Sequence, residues 1–302
     1  MKFYRLSGET ENNVKNENGK LYSRDAAVFA EKESADFSDI NPGEGLCAVC
    51  FAKRLYRKKK SFPSTANIAL SDVLNRLNTG LSKIKSDYIK TVEGALVHEE
   101  KFDAQLYFEE NLNETYFKKN GYTDKIGQLK NIQKCHHQLK DELKKNDLKF
   151  TPYYAIIVFD GDSMGKWLSG NLLKPEKKNE LSQFHERLTQ ILGEYAKKAR
   201  EIVQTPGTGV PVYAGGDDFL GFINLTRLFD TLIKLQSDFK KVVNLKEYSD
   251  KALTFSAGIA VVHYKTPLSA AIKKAREMEH KAKAHKNEDR KSTRLNSSHE
   301  SP

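Results

Sequence analysis

The sequence has few cysteines and no long apolar run. Its 302 residues include only 3 cysteines, too few for the disulfide framework of a small secreted domain. No apolar stretch approaches the roughly 20 residues that span a bilayer, and the start MKFYRLSGETENN lacks the apolar core of a secretory signal. We therefore expect a cytoplasmic protein without a membrane partner.

The charge is strongly basic. Lys and Arg number 50 against 40 Asp and Glu, a formal charge of +10. Such an excess favours a polyanionic partner such as RNA, DNA or nucleotide phosphate. A merely soluble basic protein is the alternative that charge alone leaves open.

Composition and periodicity divide the chain into four parts. Residues 1–64 are an irregular segment that contains Cys47-Ala-Val-Cys50. Residues 65–150 show apolar positions three and four apart, which predicts a helical domain. Residues 151–287 alternate between strand and helix patterns. Residues 288–302 lack an apolar period and resemble a translated sequencing adapter, so we exclude them from the fold prediction as a non-native tail.

The third part has a recognisable element order. The apolar run 153–159 predicts a buried central strand, and strands are also expected at 210–213, 219–223 and 253–263. Helices are expected at 180–203, 225–243 and 268–286. The order β-α-β-β-α-β plus a helix is typical of the ferredoxin-like plan. The predicted class is α+β, with an antiparallel sheet and helices on one face, preceded by the helical domain and the small Cys-containing segment.

Two acidic motifs lie at turns of this plan. Asp160-Gly161-Asp162-Ser163 follows the first strand, and Gly215-Gly216-Asp217-Asp218 joins the hairpin strands. Because the first strand lies beside that hairpin, the carboxylates can converge. Carboxylates without nearby His or Cys suit Mg²⁺ or Mn²⁺ bound with substrate phosphates, and two such ions can stabilise a phosphoryl displacement.

Each motif alone is more often an ordinary turn; the interpretation depends on finding both in this order. We expect Asp160 and Asp217 to bind the metal directly, with Asp218 as a further ligand or as the group that helps deprotonate the attacking hydroxyl. Asp162 is a weaker candidate, since alternate residues of a strand face opposite sides. The glycines at 161, 215 and 216 would let a triphosphate approach the backbone.

Residues 153–286 resemble the palm of the GGDEF cyclase and polymerase superfamily. The segments YAIIVFDGDSMGKWL from Tyr154 and VYAGGDD from Val212 are closer to one branch, the type III CRISPR effector large subunit in its type III-B form (the Cas ten or Cmr two family). The strand FSAGIA from Phe255 and the pair Ala282-Lys283 also match that pattern.

The resemblance implies a catalytic palm that makes cyclic oligoadenylates from ATP within an RNA-guided complex of CRISPR RNA, target RNA and other effector subunits. It implies Asp217 and Asp218 as the essential pair, Asp160 as a metal ligand, and Lys283 with Lys286 as phosphate contacts. Relative to the family, we find no His-Asp nuclease motif, and we expect the first palm to be absent or represented only by residues before 45 and the C-terminal helical domain to be missing.

A zinc site is a further expectation, for which the sequence shows only two evident ligands. Cys47 and Cys50 have metal-ligand spacing, and the relatives carry a zinc segment between their palms. Tetrahedral zinc needs four ligands; Cys135 or His137 could supply others, although neighbours on a helix point apart. The basic residues 54–60 fit either an RNA contact or a solvated loop.

Three functions remain open from the sequence. The first is an ATP-joining nucleotidyltransferase. The second is a cyclase or polymerase with another base specificity. The third is a scaffold palm that binds nucleotide or RNA without turnover.

Overall fold

The computed structural model describes the backbone of residues 62–94, 102–297 and four short strands before them, and the side chains of residues 62–94 and 102–285. The chain divides into two compact units, Met1–Phe62 and Pro63–Pro302. Some residues singled out from the sequence lie outside the described part of the chain: Cys47, Cys50, the basic residues 54–60 and the side chain of Lys286. In the first unit β1 (Asn13–Lys15) pairs with β2 (Leu21–Ser23), and β3 (Val28–Phe29) pairs with β4 (Gly45–Leu46), both antiparallel.

The second unit begins with helices. Ser64 caps the first of them by accepting a hydrogen bond from the amide of Asn67 at 3.1 Å. The α-helices before the sheet are α1 (Thr65–Gly80), α2 (Ser82–Glu93), α3 (Glu114–Lys119) and α4 (Leu129–Lys145). The connections after α2 and α3 contain short 3₁₀ segments at Ala104–Tyr107, Glu109–Asn111 and Thr123–Gln128. The described part of residues 65–150 is thus helical, as the periodicity predicts.

The remainder of the unit is a four-stranded antiparallel sheet with its helices. The chain order is β5 (Tyr153–Gly161), α5 (Met164–Leu168), α6 (Leu181–Val203), β6 (Gly209–Gly215), β7 (Asp218–Asn224), α7 (Leu228–Val242), β8 (Phe255–His263) and α8 (Leu268–Ser297). Further 3₁₀ turns span Pro175–Glu180 and Leu225–Arg227. The strands lie in the order β6-β7-β5-β8, as the ferredoxin-like plan requires. The class and order predicted from the sequence are confirmed.

Alternate residues of β5 belong to two separate cores. Ala155, Ile157 and Phe159 pack with α6 and α7 on one face. Tyr154, Ile156 and Val158 pack on the other face with residues of α1 and α8. Both faces of the sheet are therefore covered, because the helical segment and the last helix occupy the second face.

A buried polar network attaches α1 to the palm. Asp72, 4% exposed, is 2.7 Å from both Nε and Nη2 of Arg227 and accepts a hydrogen bond from Thr226 at 3.0 Å. The amide of Asn224 donates to the carbonyl of Ala69 at 2.8 Å. Since a buried carboxylate is stable only when paired, this network fixes the helical segment against the end of β7.

Helix α8 lies unusually close to β8. A methyl group placed on Gly258 would overlap the carbonyl oxygen of Ala275 and the amide nitrogen of Glu279, and would lie 2.8 Å from Cβ of Glu279. Only glycine permits this approach of helix to strand. The helix continues to Ser297, beyond the expected end at residue 286, because no proline or glycine interrupts residues 268–297. No helix in the described part of the chain is long and apolar enough to cross a membrane.

We predict that Gly258→Ala lowers the free energy of unfolding by about 1–3 kcal/mol, because the added methyl group forces α8 away from the sheet. Gly193→Ala is the matched control: Gly193 lies inside α6, and nothing surrounds its added methyl group within 4 Å. That control should gain about 0.5–1 kcal/mol from better helix propensity. Urea denaturation of both variants measures the difference, and equal effects would contradict the close contact.

Candidate active site

The hairpin tip and the end of β5 are held in register by an aromatic stack. Phe159 lies opposite Phe219 in the sheet, and their rings stack at 4.8 Å. Phe255 stacks on the other side of Phe159 at 4.5 Å. Asp160 and Asp218 are the residues next to Phe159 and Phe219, so this stack places both carboxylates at the same edge of the sheet.

The turn between β6 and β7 brings the third carboxylate to that edge. Gly216 and Asp217 form a two-residue loop in which Gly216 has φ +63°, a left-handed conformation suited to a tight hairpin. A methyl group on Gly161 would lie 2.8 Å from Cβ and 3.0 Å from Oδ2 of Asp217. The absence of a side chain at Gly161 therefore lets Asp217 lie directly against β5.

The carboxylates repel one another. Burial, the charge of Asp160 and a side-chain contact with Asp160 raise the pKa of Asp217, although the ammonium of Lys283 opposes the shift. Burial and the charges of Asp160 and Asp217 raise the pKa of Asp218, and Arg276 opposes that shift. Two carboxyl groups that share a small space behave in this way, so the structure brings the predicted trio together.

A lysine from α8 completes the cluster. Nζ of Lys283 forms an ion pair with Oδ2 of Asp160 and lies 2.9 Å from Oε1 of Glu279. Burial acts to lower the pKa of Lys283, but its contacts with Asp160 and Glu279 raise it overall. The resemblance implied Lys283 as a phosphate contact; in the structure its ammonium lies between the carboxylates of Asp160 and Glu279.

The other predicted residues have different surroundings. Asp162 is 8% exposed, and its carboxylate accepts hydrogen bonds at 2.6 Å from both Thr254 and Ser256. It thus contacts β8. Ser163 is exposed and has φ +58°, which is strained for serine. The space beside Gly215 holds the ring of Tyr213, with Cζ 2.7 Å from an added methyl group.

The donor set fits hard divalent cations in an open site. Three carboxylates supply oxygen ligands, which Mg²⁺ prefers. Among residues 62–94 and 102–285, however, no three His, Cys, Asp or Glu side chains form a ready-made metal cage. Mg²⁺ commonly takes a few carboxylates from the protein and its other ligands from phosphate and water, and the trio could serve in that way.

Four residues of the site were missed in the sequence analysis, namely Glu279, Arg276, Thr254 and Ser256. For Glu279 one signal existed, its position four residues before Lys283 on a helix. Trp167 and Phe159 are each 2% exposed and belong to the core that packs with α6 and α7. Cys135 accepts a weak hydrogen bond from Thr91 at 3.7 Å.

Comparison with known proteins finds similarity that includes the second half of the chain. Residues 153–292 match the family model described as Cas10/Cmr2, second palm domain. The chain is 28% identical over 281 residues to the CRISPR system Cmr subunit Cmr2 of Pyrococcus furiosus, an alignment that covers 78% of this chain and 30% of that relative. The chain thus spans about a third of the length of this relative.

Solved structures of CRISPR effector subunits are also similar. A type III-B Cmr-beta complex in its apo state matches 80% of this chain and 37% of its own, with 16% identity and a TM-score of 0.49. A Csm1–Csm4 cassette in complex with cA4 matches 44% of this chain and 20% of its own, with 20% identity and a TM-score of 0.33.

We predict that Asp217→Asn raises the melting temperature at pH 7 by about 1–3 °C when no divalent cation is present. The folded pKa of Asp217 lies above its ordinary value of 3.8. The folded state therefore loses stability relative to the unfolded state as pH rises from about 3.8 through the folded pKa. The advantage of the variant should vanish at about pH 3, where the carboxyl group is neutral in both states.

Asp230→Asn is the control for that measurement, because Asp230 is an exposed residue of α7. Its melting temperature should stay within about 1 °C of the parent protein at both pH values, as is usual for surface substitutions. A destabilised Asp217→Asn protein at pH 7 would show that the carboxylates do not repel one another.

Proposed function

We propose that this chain, a member of the Cas10/Cmr2 family through its second palm domain, is a metal-dependent nucleotidyltransferase that joins ATP units into cyclic oligoadenylate. We further propose that it works within the large subunit of a type III CRISPR effector, together with CRISPR RNA, target RNA and other effector subunits. The family assignment supports the system, and the site geometry supports the reaction class.

The observation that carries the proposal is the convergence of Asp160, Asp217 and Asp218 at one edge of the sheet. Burial and, after it, their mutual repulsion raise the pKa of Asp217 and Asp218. Costly groupings of like charge are typical of functional sites. A cation shared between the carboxylates would turn this repulsion into attraction.

In the proposed reaction a 3′-oxygen forms a bond to the α-phosphorus of a second ATP. The bond between that phosphorus and the bridging oxygen to the β-phosphate breaks, and pyrophosphate leaves. Asp160 and Asp217 would hold Mg²⁺ or Mn²⁺, and Asp218 would bind the same ions or accept the hydroxyl proton. When bound, two such ions stabilise the charge on the attacking and leaving oxygens.

The remaining residues bind and orient the nucleotide. Lys283 has the charge and the reach to contact the triphosphate, and Lys286 is expected to add a second contact. The open backbone at Gly216, with nothing within 4 Å of an added methyl group, leaves room beside the carboxylates. Asp162 would act indirectly by fixing the backbone after β5 to β8.

The test is product formation by the full effector complex with target RNA, labelled ATP and Mg²⁺ or Mn²⁺. We expect adenylate rings from the parent protein and a loss of at least about 100-fold in the Asp217→Asn, Asp218→Asn variant. Asp230→Asn should retain activity, because Asp230 begins α7 beyond the opposite end of β7. Guanylate products would indicate another base specificity, and binding without products would indicate a scaffold palm; either contradicts the proposal.

Gly161→Ala should also reduce product formation, by about 10-fold to 100-fold, since the added methyl group pushes Asp217 away from β5 and small displacements of reacting groups are costly. Gly165→Ala is its control, because nothing lies within 4 Å of that added methyl group. Initial rates at saturating ATP compare the two. Equal activity of both variants would argue against the close packing of Asp217 on β5.

A further inference from the structure

Two carboxylates of very different environment share the ammonium group of Lys283. The side chain of Asp160 is 40% exposed and that of Glu279 only 6%, while Lys283 itself is 27% exposed. Asp160 comes from the central strand, and Glu279 lies one helical turn before Lys283 on α8. The ammonium group therefore bridges the helix and the acidic edge of the sheet.

Glu279 is buried because α8 packs closely on β8. Gly258 permits the backbone of Glu279 to lie against the strand, as described above. Oε1 of Glu279 is buried and has no well-formed hydrogen bond among the described residues. Its compensation is the ammonium of Lys283 at 2.9 Å, with Nδ1 of His280 3.7 Å from Oε2. An unpaired carboxylate in this position would be strongly unfavourable.

Lys283 thus occupies a place that a divalent cation also needs. Its ammonium neutralises Asp160, the carboxylate at the centre of the acidic trio. A cation that binds Oδ2 of Asp160 competes directly with this ion pair, whereas Glu279 remains as a second anion that can retain the lysine. The ammonium would then be free to face a triphosphate.

We propose that Lys283 is an internal counter-ion that competes with the divalent cation for Asp160, and that Glu279 is the positioning residue that holds Lys283 for transfer to the nucleotide phosphates. This inference rests on the proposed function, which supplies the metal and the triphosphate. Its consequence is coupling: triphosphate draws Lys283 away from Asp160 and so strengthens cation binding. By linkage, the cation strengthens triphosphate binding by the same factor.

The test measures binding, without turnover, in the full chain. Mn²⁺ affinity is measured by electron paramagnetic resonance without nucleotide, and affinity for α,β-methylene-ATP, whose α–β linkage this reaction cannot cleave, is measured at saturating Mn²⁺. Lys283→Met should bind Mn²⁺ roughly three- to tenfold more tightly, because a competing charge is removed. It should bind α,β-methylene-ATP roughly tenfold more weakly, because a charged phosphate contact is lost. Simple loss of structure would weaken both.

The matched control is Lys274→Met, which removes the same charge from the same helix. Lys274 pairs with Glu277 at 3.3 Å, and both side chains are well exposed. Because exposed ion pairs contribute little, both affinities should change less than about twofold. If Lys274→Met changed Mn²⁺ affinity as much as Lys283→Met does, the loss of net charge alone would explain the effect, and the inference would be overturned.

Glu279→Gln tests the positioning residue with the shape preserved. Without the second anion Lys283 pairs with Asp160 alone, so Mn²⁺ affinity should fall roughly threefold. In the Lys283→Met background the same change should alter Mn²⁺ affinity by less than about twofold, because the influence of Glu279 passes through the lysine. Lys283→Met alone leaves the buried carboxylate of Glu279 without its ammonium partner. The double variant removes this unpaired charge and so protects the fold.

The outcomes separate the two proposals. If Mn²⁺ binding to the parent protein does not depend on Asp217, both the proposed metal site and this inference fail. If Mn²⁺ binding depends on Asp217 and Lys283→Met leaves it unchanged, only the counter-ion role is overturned. Equal effects of Glu279→Gln in the two backgrounds would overturn the positioning role.

Discussion

Repulsion between carboxylates at the edge of the sheet is the constraint on which the other features of the site depend. Isolated aspartates on a surface would move apart into water, where their charges are screened. Here the chain prevents this movement, because the stack of the buried Phe159 and Phe219 with the half-buried Phe255 fixes the strand register. Gly161 then admits Asp217 to the edge. The fold holds the charges in place at a cost, and the cost becomes useful once cations bind.

The two faces of the sheet serve this edge in different ways. The face covered by α6 and α7 carries the aromatic stack and sets the register. The opposite face is covered by α1 and α8, and α8 delivers Lys283 and Glu279 to the carboxylates. The ion pair of Asp72 with Arg227 attaches α1 at the far end of β7, so the helical segment supports the sheet away from the acidic tip.

Much of this arrangement could be predicted from local sequence patterns. The apolar run of β5, the Gly-Gly-Asp-Asp turn and the helical periodicity are encoded within single elements, and they fix the order of strands in the ferredoxin-like plan. That order alone was enough to place Asp160 near Asp217 and Asp218. The sheet positions are therefore predictable from residues that are neighbours in the chain.

The contacts that sequence could not supply depend on approach between distant elements. The burial of Glu279 follows from the closeness of α8 to β8, which depends on Gly258 and cannot be inferred from the helix alone. Asp162 shows the same limit: its hydrogen bonds come from the hydroxyl groups of Thr254 and Ser256, more than 90 residues away, which donate to its carboxylate. Coverage of the second face by α1 also arises from contacts over about 150 residues, such as that of Asn224 with Ala69.

The most direct test of the central claim is a crystal structure of the chain with Mn²⁺ and a non-hydrolysable ATP analogue, with anomalous scattering recorded to locate the metal. The account predicts Mn²⁺ between the carboxylates of Asp160 and Asp217, with Lys283 moved from Asp160 to the phosphates. Mn²⁺ located elsewhere, or a nucleotide bound while Lys283 stays on Asp160 and no metal reaches the trio, would contradict it.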